Sequence, residues 1–401
     1  MLDVIVESLP NIPIGRQPVE IVERKGLGHP DSICDALMES VSVALSQEYL
    51  RIAGRVLHHN LDKGLLVAGQ STPAFGGGTI ETPLKIIFGD RATCDWSGAK
   101  IPVGEIAETT ARRWLADNLR FLDPARHVVF QNEIRPGSPE LVDIFARPEL
   151  TANDTSAAVG YAPLSETERL VLAAEHYLNS PEFKRRFPES GEDVKVMGVR
   201  LGRVLHLTVA VAFVDRFVPD ARTYFDRKAE LQNDLQRYLS PRLRDLDAIH
   251  LNVNTLDDPA RGGGGVYLTV LGTSADGADG GEVGRGNRVN GVISLNRPLS
   301  LEAAAGKNPV SHVGKIYNLL SHQIAQRICD SNPGVEEVYV WLCSQIGRPL
   351  TEPWCVSVGV IPAQGASPGD FAEPIRDIIH RELNDIQRFT GRLTRGELPV
   401  S

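Results

Sequence analysis

Four short polar stretches hold most of the chemistry that this chain of 401 residues could perform. The first is Gly28-His29-Pro30-Asp31-Ser32-Ile33-Cys34-Asp35, at the start of a helical pattern. A helix N-terminus offers unpaired N–H groups and a field that favours anions, and His29 beside it can donate to a phosphate. Asp31 there can hold a Mg²⁺ shared with the phosphates, or simply cap the helix. The second stretch is His58-His59-Asn60-Leu61-Asp62-Lys63-Gly64. Consecutive histidines on a strand point to opposite faces, so they do not readily serve one metal, and an ordinary surface turn is the alternative. The third, Asn153-Asp154-Thr155-Ser156, leads to Gly160-Tyr161-Ala162-Pro163. Asp154 could pair with an ammonium group or a ribose hydroxyl, or could form a local Asx-turn.

The fourth stretch is the most informative. Gly272 to Arg288 carries Asp276, Asp279, Arg285 and Arg288 among closely spaced glycines, and Glu302, Lys307, His312 and Lys315 follow. Glycine lets backbone approach a ligand, two aspartates can hold a cation, and Arg285, Arg288 and Lys307 can neutralise phosphate. The common nucleotide fingerprints are absent. There is no G-x-x-x-x-G-K-[ST] loop, and Gly284-Arg285-Gly286 lacks the third glycine and the strand–helix context of a dinucleotide site. No H-E-x-x-H string or serine elbow occurs.

The elements that must position these stretches can be read from periodicity. A strand fits Val19 to Glu23, followed by a helix with Asp31 as N-cap and Ile33, Ala36, Leu37, Val41, Ala44 and Leu45 on one face. Ser165-Glu-Thr-Glu168 spells a capping box for a helix running to Tyr177. Arg203 to Asp215 alternates Leu205, Leu207, Val209, Val211 and Phe213 against His206 and Thr208, as in a sheet covered on one side. The segments Ile249 to Val253 and Val266 to Val270 alternate likewise, and strands fit Val338 to Leu342 and Cys355 to Val360. Helices are expected over Arg222 to Leu239, His312 to Ile328 and Phe371 to Phe389. Half-buried strands interrupted by helices predict α+β layers rather than a doubly wound parallel sheet. No internal repeat or long linker is visible, and a chain of this length implies more than one packed subdomain.

The formal charge of −9 disfavours nucleic acid and anionic membrane as partners, so a polyanionic ligand must meet a local cluster of cations or metal. No stretch has the roughly 18 apolar residues of a membrane helix, and the first residues lack a signal-peptide pattern. The five cysteines are scattered, without a C-x-x-C pair, which suits reduced thiols and a cytoplasmic location.

In their order along the chain, Gly-His-Pro-Asp-Ser-Ile-Cys-Asp, His-His-Asn-Leu-Asp-Lys-Gly, Asn-Asp-Thr-Ser with Gly-Tyr-Ala-Pro-Leu-Ser-Glu-Thr-Glu, Gly-Arg-Gly-Asn-Arg-Val-Asn-Gly and Ala-Ala-Gly-Lys-Asn-Pro-Val resemble the S-adenosylmethionine synthetases, in the branch typical of archaea. The likeness covers nearly the whole chain. It implies three pseudo-symmetric α+β subdomains, here approximately 15–130, 150–290 and 291–401 with the chain crossing between them, and a homodimer that packs sheet faces together and shares its active sites. It implies ATP and L-methionine as substrates, Mg²⁺ as cofactor with K⁺ as a second candidate ion, and release of diphosphate and phosphate. By motif match His29, Lys195, Arg285 and Lys307 would serve catalysis. Asn60, Asp62, Lys63, Asp154, Ser156, Asp279 and Arg288 would bind substrate, and Asp31 with Asp279 would hold metal. Residues 132–148 fall where the family has a mobile loop over the entrance. The alternatives on the same fold are a non-catalytic nucleotide sensor and a tripolyphosphatase.

Two departures stand out. Gly286 follows the motif arginine where the better-known branch has lysine, which leaves Arg288 to supply that charge. Gly280 and Gly281 follow Asp279 where a second adjacent acid is expected, so the metal site would have one acid fewer.

Overall fold

The structure is a computed structural model that describes residues 3–138, 145, 151–366 and 371–401. Its largest sheet runs in the order Ala248–Val253, Val204–Val214, Ser190–Leu201, Val19–Lys25, Ile293–Ser294, with Leu268–Thr269 alongside Val204–Val214. The expected alternation decides its layering. Leu205, Leu207, Val209, Val211 and Phe213 are fully buried with Val194 and Val196 against the helices Glu166–Leu178 and Ala221–Leu239. The opposite face of this sheet remains open, and Leu201 is 50% exposed. The strand Ser190–Leu201, which the periodicity reading passed over, is the spine of the sheet. It pairs antiparallel with both Val19–Lys25 and Val204–Val214.

A second sheet joins Val4–Ser8, Cys355–Pro362, Val335–Cys343 and Ala157–Ala162, and buries Val338, Val340, Val356 and Val358 in a core shared with the helix Val313–Ser331. A third sheet joins Val128–Asn132, Leu84–Phe88, Leu65–Val67 and Gly281–Glu282. Each sheet therefore mixes segments that are distant in sequence. Among the described residues, no helix is long and apolar enough to cross a membrane.

Several local expectations change. The single helix over Phe371 to Phe389 is two helices, Ala372–Asn384 and Ile386–Thr394, joined at Asp385. Asn384 and Asp385 are weak helix formers, and a bend there lets Ile375, Ile379 and Leu383, then Ile386, Phe389 and Leu393, all face the core. The alternation across Val266 to Val270 shrinks to the pair Leu268–Thr269, hemmed between the 3₁₀ turns Pro259–Gly265 and Ser274–Asp276. The capping box at Ser165 forms as spelled: the Ser165 hydroxyl accepts from the Glu168 amide at 3.0 Å, and Glu168 reaches back to the Ser165 amide at 2.6 Å.

Glu168 also belongs to a buried ionic junction between the first two sheets. Arg297 lies 3.0 Å from Glu168 and 3.2 Å from Glu337, with side-chain exposures of 1%, 0% and 6%. Glu337 accepts from the Ile14 amide at 3.0 Å, and Glu168 from the Ser294 hydroxyl at 2.6 Å, so both carboxylates are met by donors. Removing the guanidinium would leave two buried carboxylates facing each other. Arg297→Met is expected to destabilise the fold by about 3–5 kcal/mol near neutral pH. Urea unfolding of the variant beside the parent protein checks the size.

Candidate functional site

The site is organised along one face of the long helix Pro30–Ala53. Asp31, Asp35 and Glu39 recur every four residues and so line one stripe. Asp31 accepts from the Glu282 amide at 2.9 Å, Asp35 from the Gly284 amide at 2.8 Å, and Glu39 from the Gly306 amide at 3.0 Å. The stripe thereby gathers the two glycine-rich segments that carry Arg285 and Lys307. The approach is close enough to demand glycine. A Cβ on Gly286 would lie 2.1 Å from an Asp35 oxygen, and Gly306 adopts φ +77° with Leu61 backbone against it.

His29, and not Asp31, is the N-cap of this helix: its Nδ1 accepts from the Asp31 amide at 3.2 Å. The ring reaches the first-turn amide, so Asp31 moves inside the helix and its carboxylate is free to meet Lys25 Nζ at 2.9 Å. Burial pushes the His29 ring down to about 4; Asp31 opposes this, while the Lys25 and Lys195 ammonium groups add to it. The ring is therefore neutral at physiological pH. With Nδ1 accepting, its proton sits on Nε2, the nitrogen left to donate to a ligand.

Lys25 is a member that residue-by-residue reading missed, although it opens the string Lys-Gly-Leu-Gly-His. It also donates to the Arg285 carbonyl and lies 3.9 Å from Glu23, which Lys195 approaches to 3.5 Å. Strand pairing puts Lys195 directly opposite Lys25. The Arg285 side chain is exposed beside this group. Arg288 donates to the carbonyls of Gly284 and Gly286 at 2.6 and 2.9 Å, so it braces the loop from within.

A second cluster lies further along the stripe. Lys307 pairs with Asp62 and lies 3.1 Å from Glu302, and Lys63 reaches Asp62 at 2.7 Å. Asn60 donates to Asp62 and to Asp90, each at 2.9 Å. Burial works against the Asp62 charge, but Lys307 and Lys63 outweigh it and hold the carboxyl well below the usual range. Burial, aided by the Asp62 charge, pushes Asp90 up to about 6. Lys315 is fully buried and bonded to Glu39 at 2.6 and 2.8 Å. His58 and His59 do face apart: His59 meets Ser42 at 2.8 Å, while His58 packs against Phe145.

Asp154 and Ser156 sit elsewhere. Asp154 is exposed and accepts from its own neighbour, the Thr155 amide, at 2.7 Å, as a local turn would. The Ser344 hydroxyl donates to the Asp154 carbonyl at 2.8 Å and accepts from the Ser156 amide at 2.9 Å. Among the described residues, no hydrogen bond or ion pair joins Asp154 or Ser156 to either cation cluster, while the neighbouring Asn153 amide donates to the Ser311 carbonyl, between Lys307 and Lys315, at 3.2 Å.

Only one of the two loop aspartates is available to a ligand. Asp279 is exposed, whereas Asp276 is buried, accepting from the Val270 and Leu271 amides at 2.8 Å and from Ser71 at 3.0 Å. The expectation that both could hold a cation is corrected accordingly: Asp276 is occupied in shaping the turn. Of the expected entrance loop, residues 139–144 and 146–148 lie outside the described residues.

No three His, Cys, Asp or Glu side chains converge to hold a metal among the described residues. Mg²⁺ bound with phosphates needs only one or two carboxylates and completes its shell with water and phosphate oxygens. Asp31 and Glu23 beside Lys25 offer such a donor set, which fits an ion arriving with its phosphates.

Mixed sheets and helices around two clusters of cations and carboxylates, one at a helix N-terminus and one further along the same helix, define an α+β protein with its cations gathered on one helix face. A family model for S-adenosylmethionine synthetase (AdoMet synthetase) matches residues 2–397, and the chain belongs to that family. It is 47% identical over 409 residues to the probable S-adenosylmethionine synthase of Aquifex aeolicus, covering 100% of both chains. The S-adenosylmethionine synthases of Methanothrix thermoacetophila and Pyrococcus furiosus are 47% and 45% identical over 98% and 99% of each chain. These relatives are mostly archaeal, and the family uses divalent metal ions. A solved structure of an unusual S-adenosylmethionine synthetase from Campylobacter jejuni shares the fold at a TM-score of 0.61 with 14% identity, over 92% of this chain and 89% of that one.

Asp35 generates a pH prediction. Burial pushes its carboxyl up to about 7, against the pull of the Gly284 amide and the Arg288 guanidinium. A carboxyl with a folded pKa above its unfolded value of about 3.9 contributes stability that is full below the unfolded value. That contribution is lost as pH rises through about 7. Asp35→Asn, which cannot ionise, is expected to gain on the parent protein as pH rises from roughly 5.5 to 8.5. Urea midpoints across that range check it, and a constant gap between the two proteins would sink the reading.

Proposed function

We propose that this chain is an S-adenosylmethionine synthetase that joins ATP to L-methionine and cleaves the released triphosphate to diphosphate and phosphate. The observation that carries the reading is the acid stripe of the long helix. It holds the Arg285 loop near the helix N-terminus, where a neutral histidine has a donor to spare, and the Lys307 loop further along the same face.

In the proposed reaction the methionine sulfur attacks C5′ of ATP, the C5′–O bond breaks, and the triphosphate leaves with the electron pair. Water then cleaves the triphosphate. The leaving group carries about four negative charges, so the protein's task is neutralisation and positioning. His29 Nε2–H donates to the departing chain, and Lys25, Lys195, Arg285 and Lys307 neutralise it. Asp62, with Asn60 and Lys63, sets the position of Lys307, and Arg288 keeps the Gly284–Gly286 carbonyls from facing the phosphates. Asp31 and Asp279, with Glu23 as a further donor, would hold Mg²⁺, which would supply further charge neutralisation. K⁺ is a second candidate ion near Asn60 and Asp62.

Asp154 and Ser156 would bind the amino group of methionine or the adenosine. The absence of a direct bond between these two residues and the cations, among the described residues of one chain, supports a homodimer that brings the Asp154 turn of one copy to the cation clusters of the other. The open sheet face with exposed Val19, Leu201 and Leu295 supports the same arrangement. The three larger sheets with their helices support three pseudo-symmetric subdomains; each sheet draws strands from distant segments, so the approximate ranges 15–130, 150–290 and 291–401 apply with the chain crossing between them. These substrates place the reaction in the cytoplasm, and the entrance loop is assigned to residues 132–148.

Purified protein with ATP, methionine, Mg²⁺ and K⁺ should yield S-adenosylmethionine, diphosphate and phosphate in equal amounts by mass spectrometry and phosphate assay. Phosphate without the sulfonium would replace the synthetase with a tripolyphosphatase, and bound nucleotide without turnover would replace it with a sensor. Asp154→Ala should lower adenosyl transfer by about 10²-fold while leaving cleavage of added tripolyphosphate largely intact. Equal loss of both activities would overturn the role given to Asp154.

A further inference from the structure

The second sheet sets Cys343 and Cys355 directly opposite each other where the antiparallel strands Val335–Cys343 and Cys355–Pro362 meet. Directly opposed residues in such a pair have Cα atoms roughly 4.5 or 5.5 Å apart, and a disulfide spans about 4.4–6.8 Å between Cα atoms. Opposed side chains also emerge on the same face of the sheet. Both thiols are free, Cys355 exposed and Cys343 half-buried. Among the described residues, no other two cysteines oppose each other across a strand pair; Cys34 and Cys329 lie on separate helices.

The pair stands at the neck of the loop 344–354, and that loop grips the segment containing Asp154. Ser344 bonds to Asp154 and Ser156, the Gly347 amide donates to the Ala152 carbonyl at 2.8 Å, and the Ile346 amide donates to Thr155 at 3.0 Å.

We propose that Cys343 and Cys355 are a redox modification site, closing reversibly into a disulfide with a small disulfide such as oxidised glutathione as oxidant. The exposed Cys355 thiolate attacks one sulfur of the small disulfide and releases one small thiol. Cys343 then attacks the Cys355 sulfur and releases the second. Two protein thiols are oxidised to one disulfide, one small disulfide is reduced to two thiols, and the two thiol protons leave on those products. Closure draws the Cβ atoms from roughly 4.5–5.5 Å to about 3.8 Å. That shift falls on the residue next to Ser344, and so on the Asp154 turn. The functional consequence rests on the substrate-binding role proposed for Asp154; the disulfide itself does not.

The full-length protein is incubated in oxidised and reduced glutathione mixtures, then digested without reduction and mapped by mass spectrometry. The expected result is one peptide pair joined through Cys343 and Cys355, lighter by two hydrogens, reversed by dithiothreitol and absent from both Cys355→Ser and Cys343→Ser. Glutathione adducts or links between chains, with no joined pair, would overturn the site. In the oxidised protein the methionine KM should rise about tenfold, with tripolyphosphate cleavage unchanged and Cys355→Ser insensitive to oxidant. A disulfide that forms without moving KM overturns the coupling to the turn. Asp154→Ala, assayed separately, then shows whether the role of Asp154 has failed as well.

Discussion

The structure depends on a stripe of three carboxylates along one helix. A buried carboxylate must find donors or lose its charge. Asp31, Asp35 and Glu39 find them in the backbone amides of Glu282, Gly284 and Gly306 and in the ammonium groups of Lys25 and Lys315. The acids thus do not wait for a ligand. They fix the loops whose cations would meet one. The close approach also specifies a residue type at Gly286, where a side chain would collide with the Asp35 carboxylate that holds the loop.

This arrangement resolves an apparent conflict in the charge balance. The chain is acidic, with 51 acids against 42 Lys and Arg, yet the proposed ligand is a polyanion. Acids and lysines pair in close order: Asp62 with buried Lys307 and exposed Lys63, and Glu39 with buried Lys315. The acids lower the cost of packing so many cations together. They also leave the Arg285 guanidinium exposed and the Nε2–H of the neutral His29 ring unspent beside the paired lysines. A neutral histidine suits this position. Between Lys25 and Lys195 an imidazolium would be repelled, whereas an Nε2–H donor gives its hydrogen bond without adding charge.

Much of this was legible in the sequence, for reasons that differ by element. The strand Val204–Val214 announced itself because one face is wholly buried while the other is partly accessible as far as Ala210, so alternation survived in the residue types. Its neighbour Ser190–Leu201 begins with a bulge between Ser190 and Val194 that shelters Glu192 and Asp193, and polar residues in buried positions hid its period. The helix Val103–Asn118 buries only Val103, Ala107, Ala111 and Leu115, too slight a stripe to stand out. At the site, glycines and motif cations were visible because a loop needs unusual residues to approach a ligand. Lys25, Asp35, Glu39 and Lys315 were harder to see, since an acid or lysine inside a periodic segment reads as solvated surface. Only the folded chain shows that Asp35 and Lys315 are buried. The cysteine pair was hidden for a further reason: strand register, and not spacing along the chain, makes Cys343 and Cys355 neighbours.

The separation of the Asp154 turn from the cations follows from the same division of labour. The cation clusters are anchored by a helix and by loops bonded to it, and a deep ionic network tolerates little movement. The turn at Asp154 is exposed and held by one hydroxyl and a few amides of the loop 344–354. A reaction that expels a polyphosphate needs a rigid field where charge departs, because preorganised charge is what stabilises the leaving group. On the role proposed for Asp154, this would be the side that admits methionine and releases a sulfonium product, and weaker contacts would suit a side that opens for exchange. The firm half of the site is therefore the half written in buried charge, and the half with the fewest bonds is where substrate selection and any control by oxidation would act.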